Sequence, residues 1–344
     1  YYSAGAYIAT PNGGGITLYG KQGNASLWTG SWSGGTNQES DILELNYVNV
    51  VSNSGPINIT GARVSGTGNH SVRFNGRGTA QSNSVGALAS AKSTGFTAYP
   101  TIGVTSSTSD VSVTGDSIVL WSTAVRNTGN LTLQPYAANF DRLQYFSSDW
   151  GASFPTTYKN VVIGKAGTGG ANQNNQDFYV DRFAATGDIS LYAGNAYIKN
   201  GLTTSETSGN GILVKATNTI TYTGGSTGAN VTTSVTGTNS TAPINIWANA
   251  DAAGEGYIYV QNYNDFTTQG GAINFGGSAA ASDTSPGSYA VSNTASRAGV
   301  TIGSSNGTSN ANVRINSNGG NINIRGKGTA GGVWGIVGYA GYNV

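Results

Sequence analysis

Short triplets of apolar, polar and apolar residues, closed off by glycine, recur throughout this chain and limit the folds open to it. In Gly319-Gly320-Asn321-Ile322-Asn323-Ile324-Arg325-Gly326 the two isoleucines stand two apart, with Asn321, Asn323 and Arg325 between and beside them. A spacing of two puts the isoleucines on one face of a strand and the polar residues on the other, and the glycines end it. The same form appears at Ile16-Thr17-Leu18-Tyr19, Ile57-Asn58-Ile59, Val111-Ser112-Val113 and Leu131-Thr132-Leu133. It returns at Val161-Val162-Ile163, Ile189-Ser190-Leu191, Ile244-Asn245-Ile246, Ile258-Tyr259-Val260 and Ile273-Asn274-Phe275. Ile118-Val119-Leu120, Ile220-Thr221-Tyr222, Val300-Thr301-Ile302 and Val313-Arg314-Ile315 complete the series. Nothing between these segments keeps a helical period, so the chain reads as all-β. The stretches 75–100 and 136–160 are less regular.

Glycine-bounded strands at modest, uneven spacing fit a sandwich, a barrel or a solenoid. Three features favour the solenoid. The strands are short, the connections vary without a compensating pattern, and the strand form repeats almost unchanged. We expect one continuous β-solenoid over residues 1–344, of about 12–16 coils with irregular loop insertions. At ~4.8 Å per coil such a rod is ~60–75 Å long. Inward Ile, Val and Leu stack in columns, and each methylene taken from water contributes ~0.8 kcal/mol. Outward Asn in register form side-chain ladders.

Composition supports an ordered β protein. Charged residues make up 9% of the chain, against a usual ~25%. The 53 glycines come with 19 Tyr, 9 Phe and 6 Trp, more aromatic content than a disordered chain carries. A net charge of +1 with no basic run gives nucleic acid and anionic membrane no electrostatic handle. No apolar stretch approaches 18 residues, so no membrane-spanning helix is expected. The absence of cysteine excludes disulfides and thiolate metal sites. A low-charge chain rich in Thr, Asn and Gly and lacking cysteine suits a bacterial cell surface. It starts Tyr1-Tyr2-Ser3, without Met or a signal peptide, and reads as a mature form or a fragment.

Over residues 129–216 the pattern becomes more specific. Gly129-Asn130-Leu131-Thr132-Leu133-Gln134-Pro135 is followed by Asn160-Val161-Val162-Ile163-Gly164-Lys165. Gly187-Asp188-Ile189-Ser190-Leu191-Tyr192-Ala193-Gly194 and Gly211-Ile212-Leu213-Val214-Lys215-Ala216 come next. This succession resembles the repeat region of the giant filamentous-haemagglutinin-like surface proteins of bacteria, and residues 320–326 are similar to those repeats too. The resemblance implies a secreted, right-handed parallel β-helix acting as an adhesin, and it brings no catalytic residues. Family members are far longer and begin with a secretion domain that this chain does not show.

Both ends are aromatic and apolar. Residues 1–8 contain Tyr1, Tyr2, Tyr7 and Ile8, and residues 333–344 contain Trp334, Ile336, Val337, Tyr339 and Tyr342. Neither span holds a charged side chain. Native solenoids close their ends with polar caps. We therefore expect these ends to be stacking joints, either to flanking repeats of the same chain or to another copy in a head-to-tail homopolymer. The competing reading is that they fold back as apolar plugs.

Signals for catalysis are weak. The single histidine, His70, lies in Gly68-Asn69-His70-Ser71 with no nucleophile elbow near it. Asp177 and Asp181, four apart on a strand, stand ~13 Å from each other, too far for a glycosidase pair, although a neighbouring coil could bring another acid nearer, for instance Asp188. We expect no enzyme activity, no cofactor and no metal. Outward aromatics offer a surface for glycans: Tyr19, Tyr192, Trp247, Tyr257 and Tyr259. The sequence reading is thus a structural, non-catalytic stalk or filament of a bacterial surface fibre or adhesin. A carbohydrate-binding or polysaccharide-cleaving β-helix protein is the alternative.

Overall fold

The computed structural model describes residues 6–10, 12–22, 42–46, 48–63, 70–75, 83–86, 107–121, 123–147, 152–167, 172, 174–206, 208–223, 233–237, 241–261, 264–294, 297–303, 313–329 and 333–339. Among them there is no helix. The chain divides into two compact units, Tyr1–Thr156 and Thr157–Val344.

In the first unit the chain visits three sheets in rotation, and every pairing is parallel. One sheet holds Ala6–Thr10, Val48–Ser52, Asn83–Gly86, Thr123–Arg126 and Ala152–Ser153. A second holds Ile16–Lys21, Ile57–Ala62, Val111–Gly115 and Leu131–Gln134. A third holds Leu43–Asn46, Val72–Asn75 and Ile118–Trp121. Strands follow one another in sequence but pair with the strand one round later. The connection between partners runs from 20 residues, Val111 to Leu131, to 54, Ile57 to Val111.

The second unit repeats the scheme. Val161–Ile163, Ile189–Ala193, Ile212–Ala216, Ile244–Trp247, Ile273–Gly276 and Ile322–Ile324 form one parallel series. Phe178–Val180, Ala196–Ile198, Ile220–Tyr222, Ile258–Val260, Val300–Ile302 and Ile336–Gly338 form another. Thr157–Tyr158, Phe183–Ala185, Leu202–Thr204, Thr233–Gly237, Asn264–Thr267 and Arg314–Asn316 form the third. An added pair, Ala290–Ser292 with Gly326–Gly328, sits in the long connections of the last rounds.

The core follows directly from alternation and register. Val161, Ile189, Ile212, Ile244 and Ile273 lie opposite one another and are closed to water. Ile163, Leu191, Val214, Ile246 and Phe275 form the next buried column, two residues along each strand. Each such side chain contributes about 1.5–3 kcal/mol over its exposed state. Rings fill the wider places. Phe266 meets Tyr222 and Phe275 edge-on, with centroids 5.0 Å apart in both cases.

The strands named from sequence fall in these sheets. Those ending in glycine after the form Ile-x-Ile belong almost without exception to one sheet in each unit, the series of Ile16 and the series of Val161. That sheet has four strands in the first unit and six in the second among the described residues, fewer than the 12–16 coils expected. That expectation assumed coils of ~20–30 residues, whereas the rounds from Ile57 to Val111 and from Ile273 to Ile322 span 54 and 49 residues. Phe183–Ala185, Ala196–Ile198, Leu202–Thr204 and Gln144–Phe146 have no flanking Ile-x-Ile form and were not visible as strands.

Candidate binding and assembly surfaces

The entry to several strands is built by an Asp or Asn placed one residue ahead of the strand. Asp110 Oδ1 accepts from the backbone N–H and Nδ2 of Asn130, its counterpart one round on. Asn160 Oδ1 accepts from the N–H of Asp188, and Asp188 Oδ1 from the N–H of Gly211. Asp177 Oδ1 takes the N–H and Nδ2 of Asn195, and Asn195 Oδ1 takes the N–H of Thr219. Asp177 and Asp188 are thus engaged in satisfying backbone donors at the corners. Asp181 accepts from Asn200 Nδ2. His70 Nδ1 lies 2.9 Å from Ser117 Oγ, and Ser117 is fully buried. No cluster of three His, Cys, Asp or Glu occurs among the described residues, and no helix long and apolar enough to cross a membrane is found among them.

The aromatic residues separate into distinct environments. Tyr19 is 57% exposed on its strand, near Tyr136. Tyr192, half-buried, stands opposite Lys215, which stands opposite Trp247. Trp247 was expected on an open outward face, but it is 2% exposed. Its indole N–H donates to Ser278 Oγ at 2.7 Å, and Ser278 in turn donates to the carbonyl of Ala250. The connections that follow the Trp247 and Gly276 strands therefore cover it, and it packs as a satellite core outside the sheet. The Lys215 ammonium lies 4.1 Å from its ring centroid. Burial pushes the Lys215 amine down from 10.5 to about 8.

Tyr257 and Tyr259 are half-buried on the outer side of their sheet, with the exposed Arg297 guanidinium over them, 5.9 and 4.7 Å from the two centroids. Two further tyrosines share this face and were missed from sequence. Tyr179 and Tyr197 are register partners whose rings stack 4.4 Å apart at 12°. The available signal was Tyr at the middle of Phe178-Tyr179-Val180, Ala196-Tyr197-Ile198 and Ile258-Tyr259-Val260. Reading it required knowing that these three segments lie in one sheet.

At the ends, Tyr1, Tyr2 and Tyr342 lie outside the described residues, as does the side chain of Tyr7. Ile8 is half-buried opposite Val50. Trp334 is 64%, Ile336 48% and Tyr339 40% exposed, and Val337 is half-buried. Ile322, 45% exposed, joins them. Ile322 continues the column of Ile244 and Ile273, and Ile336 continues that of Ile258 and Val300, all four of which are at most 1% exposed.

No family model matches the chain, and neither a curated protein nor a solved structure matches it.

Proposed function

We propose that the chain is a structural, non-catalytic building block of an extracellular fibre at a bacterial cell surface, in the manner of the filamentous-haemagglutinin-like repeats it resembles. On this reading the rounds of strands wind as a parallel β-solenoid. The resemblance implies that the coil is right-handed. The observation that carries the assembly is the open end of the apolar columns. Ile322 and Ile336 occupy positions that are sealed in every preceding round of their series, yet here they face water. A further rung of the same kind covers them and pairs the free strand edges. The occupant that fits is a second copy, whose Ile16–Lys21 strand has the same alternation, with Ile16 and Leu18 on its inner side. Such a contact is heterologous and does not close, so it propagates as a filament.

Electron cryomicroscopy of unrefolded native material tests this. Filaments with a ~4.8 Å axial layer line are expected. Purified protein that stays monomeric by light scattering over a wide concentration series rejects head-to-tail stacking.

A further inference from the structure

The face carrying Tyr179, Tyr197, Tyr257 and Tyr259 has the chemistry of a binding site. Register places Tyr179, Tyr197, Thr221, Tyr259 and Thr301 in one outward column on successive strands. Thr219 and Tyr257 stand beside it, aligned by the bond from the Ile220 N–H to the Tyr257 carbonyl. Two threonines therefore form a floor between Tyr197 on one side and Tyr257 and Tyr259 on the other. The two sides are separated by two strand spacings, ~9.6 Å, about the length of a disaccharide. Burial raises the pKa of the Tyr197 hydroxyl, and the Asp177 carboxylate and Tyr257 raise it further.

Arg297 closes one end. Its guanidinium lies over Tyr259 and forms no ion pair among the described residues. Glu255, on a neighbouring connection, is occupied by the hydroxyls of Ser292 and Thr294. A guanidinium over a ring face keeps N–H groups free for a planar anion, which it can meet by a two-point carboxylate contact. At the other end stands the Asp177 carboxylate, which repels a second anion. Between them the surface offers tyrosine faces and threonine hydroxyls, suited to the C–H faces and hydroxyls of a sugar ring. Nucleic acid binding rests on several phosphate contacts, and the chain carries a net charge of only +1.

We propose that this face binds an acidic saccharide, with a uronate carboxylate on Arg297 and the neighbouring sugar ring seated against Tyr257, Tyr259 and Tyr197. The site is independent of the end-to-end joint.

Titration calorimetry with trigalacturonate and with its methyl ester, at low and high salt, tests the assignment. The acid is expected to bind about tenfold tighter than the ester at low salt, and salt narrows the gap. Arg297→Gln brings the acid down to the ester's affinity. Tyr197→Ala weakens both ligands, with a circular dichroism spectrum matching the unsubstituted protein. Equal affinity for acid and ester, no binding of either, or an acid preference that survives Arg297→Gln overturns the proposal. Self-association that Arg297→Gln abolishes while neither sugar binds also overturns it, and assigns the face to a lateral contact between copies.

Discussion

Lys215 stands in an outward position between Tyr192 and Trp247, yet it is 6% exposed. Its ammonium lies over the Trp247 ring and forms no ion pair among the described residues. A ring face returns about 0.5–2 kcal/mol to a cation, less than the loss of hydration, so the amine's pKa falls to about 8. The sign of the consequence follows from proton linkage. Above pH 8 the folded state has released this proton, whereas the unfolded chain keeps it up to about 10.5. Stability from this group therefore rises as pH climbs from 8 towards 10.5, and the penalty is fully present below 8. Lys215→Met keeps the stem and drops the charge. It is expected to raise stability at pH 7 by about 1–2 kcal/mol, half the shift being discounted for residual hydration. It should also flatten the rise between pH 8 and 9.5. Urea unfolding at pH 7 and 9.5 measures both effects.

Side chains bind one element to the next along the outer faces. Asn274 Nδ2 donates to Asn245 Oδ1, and Asn323 Nδ2 to Asn274 Oδ1, both at 2.8 Å. These are the polar centres of Ile244-Asn245-Ile246, Ile273-Asn274-Phe275 and Ile322-Asn323-Ile324, and they form the ladder expected of asparagines in register. Asn274 serves two bonds and Asn323 one. Asn274→Ala should therefore cost about 1–3 kcal/mol and Asn323→Ala about half as much. Denaturant midpoints showing the reverse order would remove the ladder as a source of stability. At the strand entries a second device complements the Asp and Asn corners. Gly15 has no side-chain acceptor to offer the next round, and the residue facing it, Pro56, has no N–H that needs one. Gly211 and Pro243 repeat the arrangement. A bare glycine and a donorless proline thus leave no buried N–H unpaired.

Among the described residues, polar corners and ladders link one round to the next, while the apolar columns remain open at the last described round. Charges on that exposed surface should act on assembly and spare the fold. Ile322→Asp combined with Ile336→Asp is expected to abolish sedimentable filaments, with the circular dichroism spectrum and the denaturant midpoint nearly unchanged. Both positions are already about half exposed, at 45% and 48%, so placing a carboxylate there removes little burial. Filaments that survive both substitutions would place the contact elsewhere.

The all-β class, the inner face of each Ile-x-Ile strand and the asparagine ladder were all legible in the sequence. Alternation with a period of two is local, and each strand states its own inner and outer side. The glycine-bounded form, however, marks one sheet in each unit. Strands such as Ala196–Ile198 and Leu202–Thr204 owe their existence to the neighbours they pair with, so their number and the length of a round were hidden. Register and cover were likewise settled in three dimensions. Trp247 and Tyr259 occupy equivalent outward positions on their strands, but long connections close over Trp247 and leave Tyr259 at the surface beneath Arg297. Which residues a loop covers, and which tyrosines meet across rounds that lie tens of residues apart, depend on pairings between distant segments. A local pattern fixes which side of a strand is apolar, and only tertiary contact determines what lies against the other.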